Sequence, residues 1–230
     1  MPRSLVVYRG PSAYHPDTII RAVLVLRSTN SKTGNMAQLH ILPDATPPHT
    51  AQQTGEDRAV CGACPLRPSI NGGCYVVTCQ GPLSVWRATL SQPVAGAGEV
   101  AGALLGRTLR LGAYGDPAAL PPYVVAWLAG YVNGRVTGYT HGWRARPDLR
   151  RYCMASVDAP DDRDEAHAAG WRTFRTRRPG GILDTDEIQC PSERVSCAEC
   201  LLCRGTTIGA RSISIEVHGS RASRALLVVQ

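Results

Sequence analysis

The chain has 230 residues, of which 43% are hydrophobic and 19% charged, and a formal net charge of +7. That is enough apolar material for one domain with a sizeable core, which excludes a disordered chain, and the apolar runs are too short to form a membrane-spanning helix. Aromatic content is 6%, so aliphatic side chains must fill the interior, and nine cysteines, an odd number, exclude complete pairing into internal disulfides.

The start, Met1-Pro2-Arg3, lacks the apolar stretch of a secretory signal, so a reduced, cytoplasmic protein is expected, in which close cysteine pairs serve as ligands or redox thiols. Ile19 to Arg27 is an apolar run rich in branched residues. Turn chemistry follows from Ser28 to Asn35, and Ala37 to Leu42 alternates again, which predicts an N-terminal β-hairpin. Within that turn Lys32-Thr33-Gly34 resembles a phosphate loop only in part, and a plain hairpin turn is the better reading. The Pro-, Thr- and Gln-rich stretch from Pro43 to Asp57 reads as a surface loop that delivers the chain to a first cysteine group, Cys61-Gly62-Ala63-Cys64, Cys74-Tyr75 and Cys79.

From there helices and strands alternate. Helical spacing covers Pro82 to Leu90, Gly98 to Leu105, Pro117 to Val132, Pro147 to Tyr152 and Asp161 to Ala169; strands are predicted at Thr108 to Ala113, Val136 to Thr140, Met154 to Val157 and Trp171 to Thr176. Such repetition predicts an α/β fold: a partial (β/α) barrel or curved parallel sheet, carrying the N-terminal β-hairpin and two cysteine-rich metal-binding loops. The segments are 1–57 (hairpin and loop), 58–81 (first cysteine group), 82–184 (βα repeats), 185–206 (second cysteine group) and 207–230 (last strand, Arg211 to Val217, and tail), all in one domain.

The second group, Cys190-Pro191 with Cys197, Cys200 and Cys203, is the most specific motif. Three thiols two residues apart reach three corners of one cluster from a tight loop, and a fourth beside a proline completes the arrangement of a ferredoxin-type ligand run. A zinc site prefers paired hooks across a longer span, so the spacing leans toward a 4Fe–4S cluster and leaves zinc open. Cys61, Cys64 and Cys74 form the other ligand set, giving one or two clusters in all. Cys79 and Cys153 lack close partners and read as spectators, although Cys79 could complete a zinc site with Cys61, Cys64 and Cys74.

Ligands of parallel sheets bind beyond the carboxyl ends of strands. That rule selects Gly112 to Pro117, where Gly112, Gly115 and Asp116 could face a cofactor and where Asp116 could equally be a helix cap. It also selects Thr137 to Arg144, where His141 and Arg144 join Asp116 as candidate catalytic groups and where His141 could equally be a packed or surface residue, and Ser156 to Asp158, where a cap or turn role for Asp158 is at least as good a reading. His218 reads as structural. The arginines at 144, 146, 150, 151, 172, 175, 177 and 178 suit phosphates, so nucleic acid or a nucleotide is an expected partner; a solvated basic face is the bland alternative.

These motifs resemble an uncharacterised family of bacterial and phage-borne proteins. The matching residues are Cys61 to Arg67, Cys74-Tyr75-Val76, Gly112 to Pro117, Thr137 to His141, Gly170 to Arg175, and Cys190-Pro191 with Cys197, Cys200 and Cys203. The resemblance spans about residues 28 to 219 and implies one unit without assigning an activity. At the level of fold, the chain is also similar to the radical S-adenosylmethionine enzymes, which implies that Cys61, Cys64 and Cys74 hold a cluster with one open iron and that Gly112 to Asp116 face S-adenosylmethionine. The spacing departs from the C-x3-C-x2-C of those enzymes. Two functions follow: an iron–sulfur enzyme, radical S-adenosylmethionine-like, modifying a nucleic acid or nucleotide; or a non-catalytic nucleic-acid-binding protein of phage or mobile-element origin, stapled by zinc or clusters. The oligomeric state is not legible.

Overall fold

A computed structural model describes residues 3–28, 30, 32–205, 209–219 and 221–226, so parts of the expected hairpin turn, second cysteine segment and C-terminal tail lie outside the described residues. Ten strands form two five-stranded sheets. The first is ordered β1 (Ser4–Pro11), β2 (Ile19–Val25), β3 (Ala37–Pro43), β4 (Leu109–Tyr114), β5 (Val136–Thr137). Its first three strands are antiparallel, and β3, β4 and β5 run parallel. The second is parallel throughout: β6 (Tyr139–Thr140), β7 (Met154–Val157), β8 (Thr173–Arg177), β10 (Ser212–Glu216), with β9 (Glu187–Gln189) at the edge.

The two sheets meet at Gly138, which separates β5 from β6. Residues 136 and 137 pair with β4, while residues 139 and 140 pair with β7. The Gly138 amide meanwhile donates to the Cys203 carbonyl at 3.1 Å, and its own carbonyl accepts from the Met154 amide at 3.0 Å. One run of five residues therefore ends one sheet and begins the next. A side chain at 138 would lie 3.1 Å from Leu111, which keeps this junction narrow.

β3 is buried along its whole length, as a strand covered on both faces must be; Leu39, Ile41 and Leu42 suit that position, and Gln38 and His40 are buried with them. α4 (Ala97–Leu104) and α5 (Pro122–Tyr131) follow the predicted pattern, as do α3 (Gly81–Ala88) and α6 (Pro160–Ala168). Pro121 and Pro122 delay α5 by five residues from the predicted start; Pro117–Ala119 forms only a 3-10 turn, as does Pro147–Arg151.

The stretch expected to be a surface loop contains α1 (Pro48–Thr54) and ends at Asp57, immediately before α2 (Arg58–Cys61). Pro48 opens α1 at a position where a missing N–H costs nothing, and Gly55 (φ 87°) closes it. Ala51 and Gln52 are buried there, and the Gln52 side chain accepts a 2.6 Å hydrogen bond from Thr78, which ties α1 to the first cysteine segment. The main core, largely aliphatic, runs from Leu5 to Trp171, and a second small cluster of Met154, Phe174 and Ile213 packs against Cys190 and Cys203. Among the described residues no helix is long and apolar enough to cross a membrane.

Candidate metal centres

The first cysteine loop begins where α2 ends. Cys64 N–H bonds to the Cys61 carbonyl (3.2 Å), and after a tight turn through Gly72 the Cys74 amide returns to the Leu66 carbonyl (2.8 Å). At Gly73 even a methyl group would lie 2.1 Å from the Ala225 backbone, within α8 (Ala222–Ala225), so the chain can pass there only without a side chain. The result is an open cleft lined by Cys61, Cys64 and Cys74 together with Asp57, Tyr114 and His141.

Three strand ends form the rest of this cleft. After β4, Gly115 adopts φ 79° with its α-carbon so close to Ile41 that an added carbon would be 2.5 Å from that carbonyl. After β6 comes His141, and after β7 comes Asp158. His141 Nε2 lies 3.1 Å from Asp158 Oδ2 and 3.9 Å from Cys64 Sγ. Burial opposes its positive charge, but the Cys64 and Asp158 charges and hydrogen bonds outweigh burial and raise its pKa well above the usual range.

Asp116 is fully engaged. Oδ1 accepts from the Ala118 amide (2.8 Å) and the Thr140 hydroxyl (2.5 Å), and Oδ2 accepts from the His141 amide (2.8 Å). The helix-cap role is thus present, with an added role in holding the His141 loop. Gly112 and Gly115 line the cleft as expected. Arg144, a candidate catalytic group, lines neither cleft: it pairs with Asp162 and Glu165 of α6 and stacks 4.1 Å from the Trp143 ring centroid.

Asp57 was not singled out by the sequence. Its side chain is buried, Oδ1 is held by Arg67 (3.1 Å) and Ser69 (2.8 Å), and Oδ2 has no hydrogen-bond partner; the Tyr114 hydroxyl is likewise unpartnered. Two buried polar atoms of one cleft therefore lack partners, the condition that a polar ligand would relieve.

The second loop leaves β9, and the Cys190 amide continues the ladder to the Ser214 carbonyl (2.8 Å). Ser196 and Glu199 form a capping box around α7 (Cys197–Cys200), the local reason that this short turn is helical. The hairpin turn completes it: the Lys32 and Thr33 carbonyls accept from the Cys197 and Ala198 amides at 2.9 and 3.2 Å, capping the open N-terminus of α7. Arg172 secures the far side, donating to the carbonyls of Leu202 (2.9 Å), Arg204 (2.8 Å), Gly205 (3.3 Å) and Arg211 (3.1 Å). All four cysteines, 190, 197, 200 and 203, line one cavity, walled by Arg110, Thr137, Tyr139 and Ile213.

Cysteine protonation follows from burial and crowding. Burial, then the neighbouring Cys64 and Cys74, push Cys61 well up; Cys74 is raised to about 11 by burial in spite of a backbone hydrogen bond; burial and Cys190 push Cys203 to about 12. Such thiols lose their protons only to a cation bound among them. Thiol donors of this kind suit either an iron–sulfur cluster, whose thiolates attach to separate irons, or zinc, which draws its donors to about 2.3 Å from a single point. Among the described residues no three Cys, His, Asp or Glu side chains converge on one ion. Cys79 is exposed and lines neither cavity, and Cys153 is buried in the aliphatic core with its thiol near the Leu149 carbonyl (3.6 Å), so both stand apart from the ligand sets.

Most of the arginines expected to meet phosphates are used internally. Arg146 pairs with Asp148 and two carbonyls, Arg175 with Glu187 and Asp184, Arg177 with Gln189 and Glu216, and Arg150 with the Ala169 carbonyl. His218 is exposed and lies against Tyr75, the ring centroids 5.5 Å apart and the planes tilted by 31°. Comparison with family models, with curated proteins and with solved structures gives no match, so the two centres are read from their own residues.

Proposed function

We propose that this chain is an iron–sulfur enzyme with two 4Fe–4S clusters, one held by Cys61, Cys64 and Cys74 and the other by Cys190, Cys197, Cys200 and Cys203. The observation that carries the reading is the division of seven cysteines into a three-thiol cleft and a four-thiol cavity. Four thiolates saturate a cluster and suit electron supply or structure. Three leave one iron for a bound molecule, and a cluster of that kind supplies one electron to what it binds.

The proposed molecule is S-adenosylmethionine, on the resemblance to that enzyme class. Its support in this chain is the pair of unpartnered acceptors, Asp57 Oδ2 and the Tyr114 hydroxyl, which suit a ligand carrying ammonium and hydroxyl groups. Asp116 holds the cleft wall and orients the His141 loop, and His141 presents a proton at the cleft edge. A nucleotide or nucleic-acid substrate is supported by the net charge of +7, since the clustered arginines are largely spent on internal contacts.

One observation favours a second reading. His141 Nε2 is 3.9 Å from Cys64 Sγ, and with Cys61 and Cys74 it would make a Cys3His set of the kind that structural zinc sites use. That protein would be a non-catalytic, nucleic-acid-binding module.

The test is a pair of variants purified anaerobically. Cys61→Ala/Cys64→Ala should keep one cluster and lose the other, Cys197→Ala/Cys200→Ala should do the converse, and the reduced wild type should cleave S-adenosylmethionine. Zinc in the first site, with no cleavage by reduced protein, would select the second reading.

A further inference from the structure

Two strand residues with no role assigned so far, Arg110 on β4 and Tyr139 on β6, stand where the two cavities meet. Tyr139 lines both cavities, Arg110 lines the four-thiol cavity, and Tyr75, next in sequence to Cys74, lines the three-thiol cleft. The three side chains are bonded to each other. Arg110 Nη2 donates to the Tyr139 hydroxyl at 2.9 Å and to the Tyr75 hydroxyl at 3.3 Å, and the two hydroxyls are 3.2 Å apart. The Arg110 guanidinium also lies 5.6 Å from the Tyr139 ring centroid, and that ring is stacked on Phe174 at 4.1 Å, which fixes its plane. The wall between the centres is therefore one aromatic side chain thick and held rigid on both faces.

We infer that Tyr139 is the electron-transfer bridge between the two cluster sites and that Arg110 is the positioning residue that holds it. This inference rests on the two-cluster reading above. An external low-potential one-electron donor, of the class of small iron–sulfur electron carriers, is oxidised by one electron as the four-cysteine cluster is reduced. That cluster is then reoxidised as the three-cysteine cluster is reduced by the same electron. No bond is made or broken, and the Tyr139 proton stays on its oxygen. A positive charge at the wall favours the reduced, more negative form of the adjacent four-cysteine cluster, so Arg110 also raises its potential.

The full chain, reconstituted anaerobically with iron and sulfide and fully reduced by excess titanium(III) citrate, is examined by electron paramagnetic resonance. Two reduced clusters across one side chain interact magnetically, so the expected wild-type spectrum is broadened or split and differs from the sum of the two single-cluster cysteine variants. Should those variants fold poorly, the wild-type titration answers alone: the signal per spin should change shape between half and full reduction. Two clusters whose signals simply add, with shape independent of the degree of reduction, would overturn the bridge and leave the two-cluster reading intact. Protein without iron would overturn both. Arg110→Gln should shift the four-cysteine midpoint potential to more negative values, whereas Arg87→Gln on α3 should not; equal potentials in wild type and Arg110→Gln would refute the role of Arg110.

Discussion

Asp116→Asn exchanges a carboxylate oxygen for an amide nitrogen at the joint between the β4 turn and the His141 loop. If the amide oxygen takes the Oδ1 position it can still accept from Ala118 and Thr140, but the NH2 then faces the His141 N–H where Oδ2 stood. One buried donor loses its acceptor and meets another donor, and the remaining bonds lose their ionic character. An unsatisfied buried group costs about 1–3 kcal/mol, so the substitution should destabilise by about 2–3 kcal/mol. For a chain of this size that corresponds to a drop in melting temperature of about 5–10 °C. Thr140→Ser, which keeps the hydroxyl, is the control and should stay close to wild type. The assay is urea and thermal unfolding of the metal-free protein, with iron content of the reconstituted protein measured beside it, since a displaced His141 loop opens the three-thiol cleft. An Asp116→Asn protein as stable as wild type would refute the assignment of Asp116 to the scaffold and return it to the list of reactive groups.

Arg172→Lys should cost about 2–4 kcal/mol, because one ammonium cannot reach four carbonyls that a guanidinium fork satisfies, and should empty the four-thiol site while leaving the other loaded; metal analysis checks this. His40, on β3, is held neutral by burial, its pKa lowered from 6.5 to about 4. The unfolded chain therefore binds the extra proton first: stability is complete above about pH 6.5 and falls by about 3 kcal/mol as pH drops to about 4, a slope that His40→Leu should flatten in urea titrations at several pH values. Cys61, Cys74 and Cys203 are raised by burial, so reconstitution must displace thiol protons; metal affinity should climb with pH and proton release should be measurable in weakly buffered solution.

Much of this was legible from residue pattern. A branched aliphatic run marked β2 and alternation marked β3, and cysteine spacing separated two groups that the fold also separates. β1 was not assigned bounds, and β9 was missed because three residues, Glu187 to Gln189, carry no periodicity. α1 hid in Pro, Thr and Gln; Pro48 at its first position was the usable signal, outweighed by a composition that resembles a loop. Arginine clusters suggested an anionic partner, whereas their carboxylate and carbonyl partners lie on other elements and no local pattern announces them. Arg110 and Asp57 were illegible for the same reason, and Tyr139 lay inside a noted segment without a role of its own: each matters through what the two sheets bring beside it.

The central claim is that both cysteine sets bind iron–sulfur clusters, and anaerobic metal and acid-labile sulfide analysis of the wild-type protein tests it most directly. The account predicts brown protein whose visible absorbance bleaches with dithionite, with iron and sulfide in equal amounts sufficient for two clusters per chain. Colourless protein with stoichiometric zinc and no sulfide would contradict it.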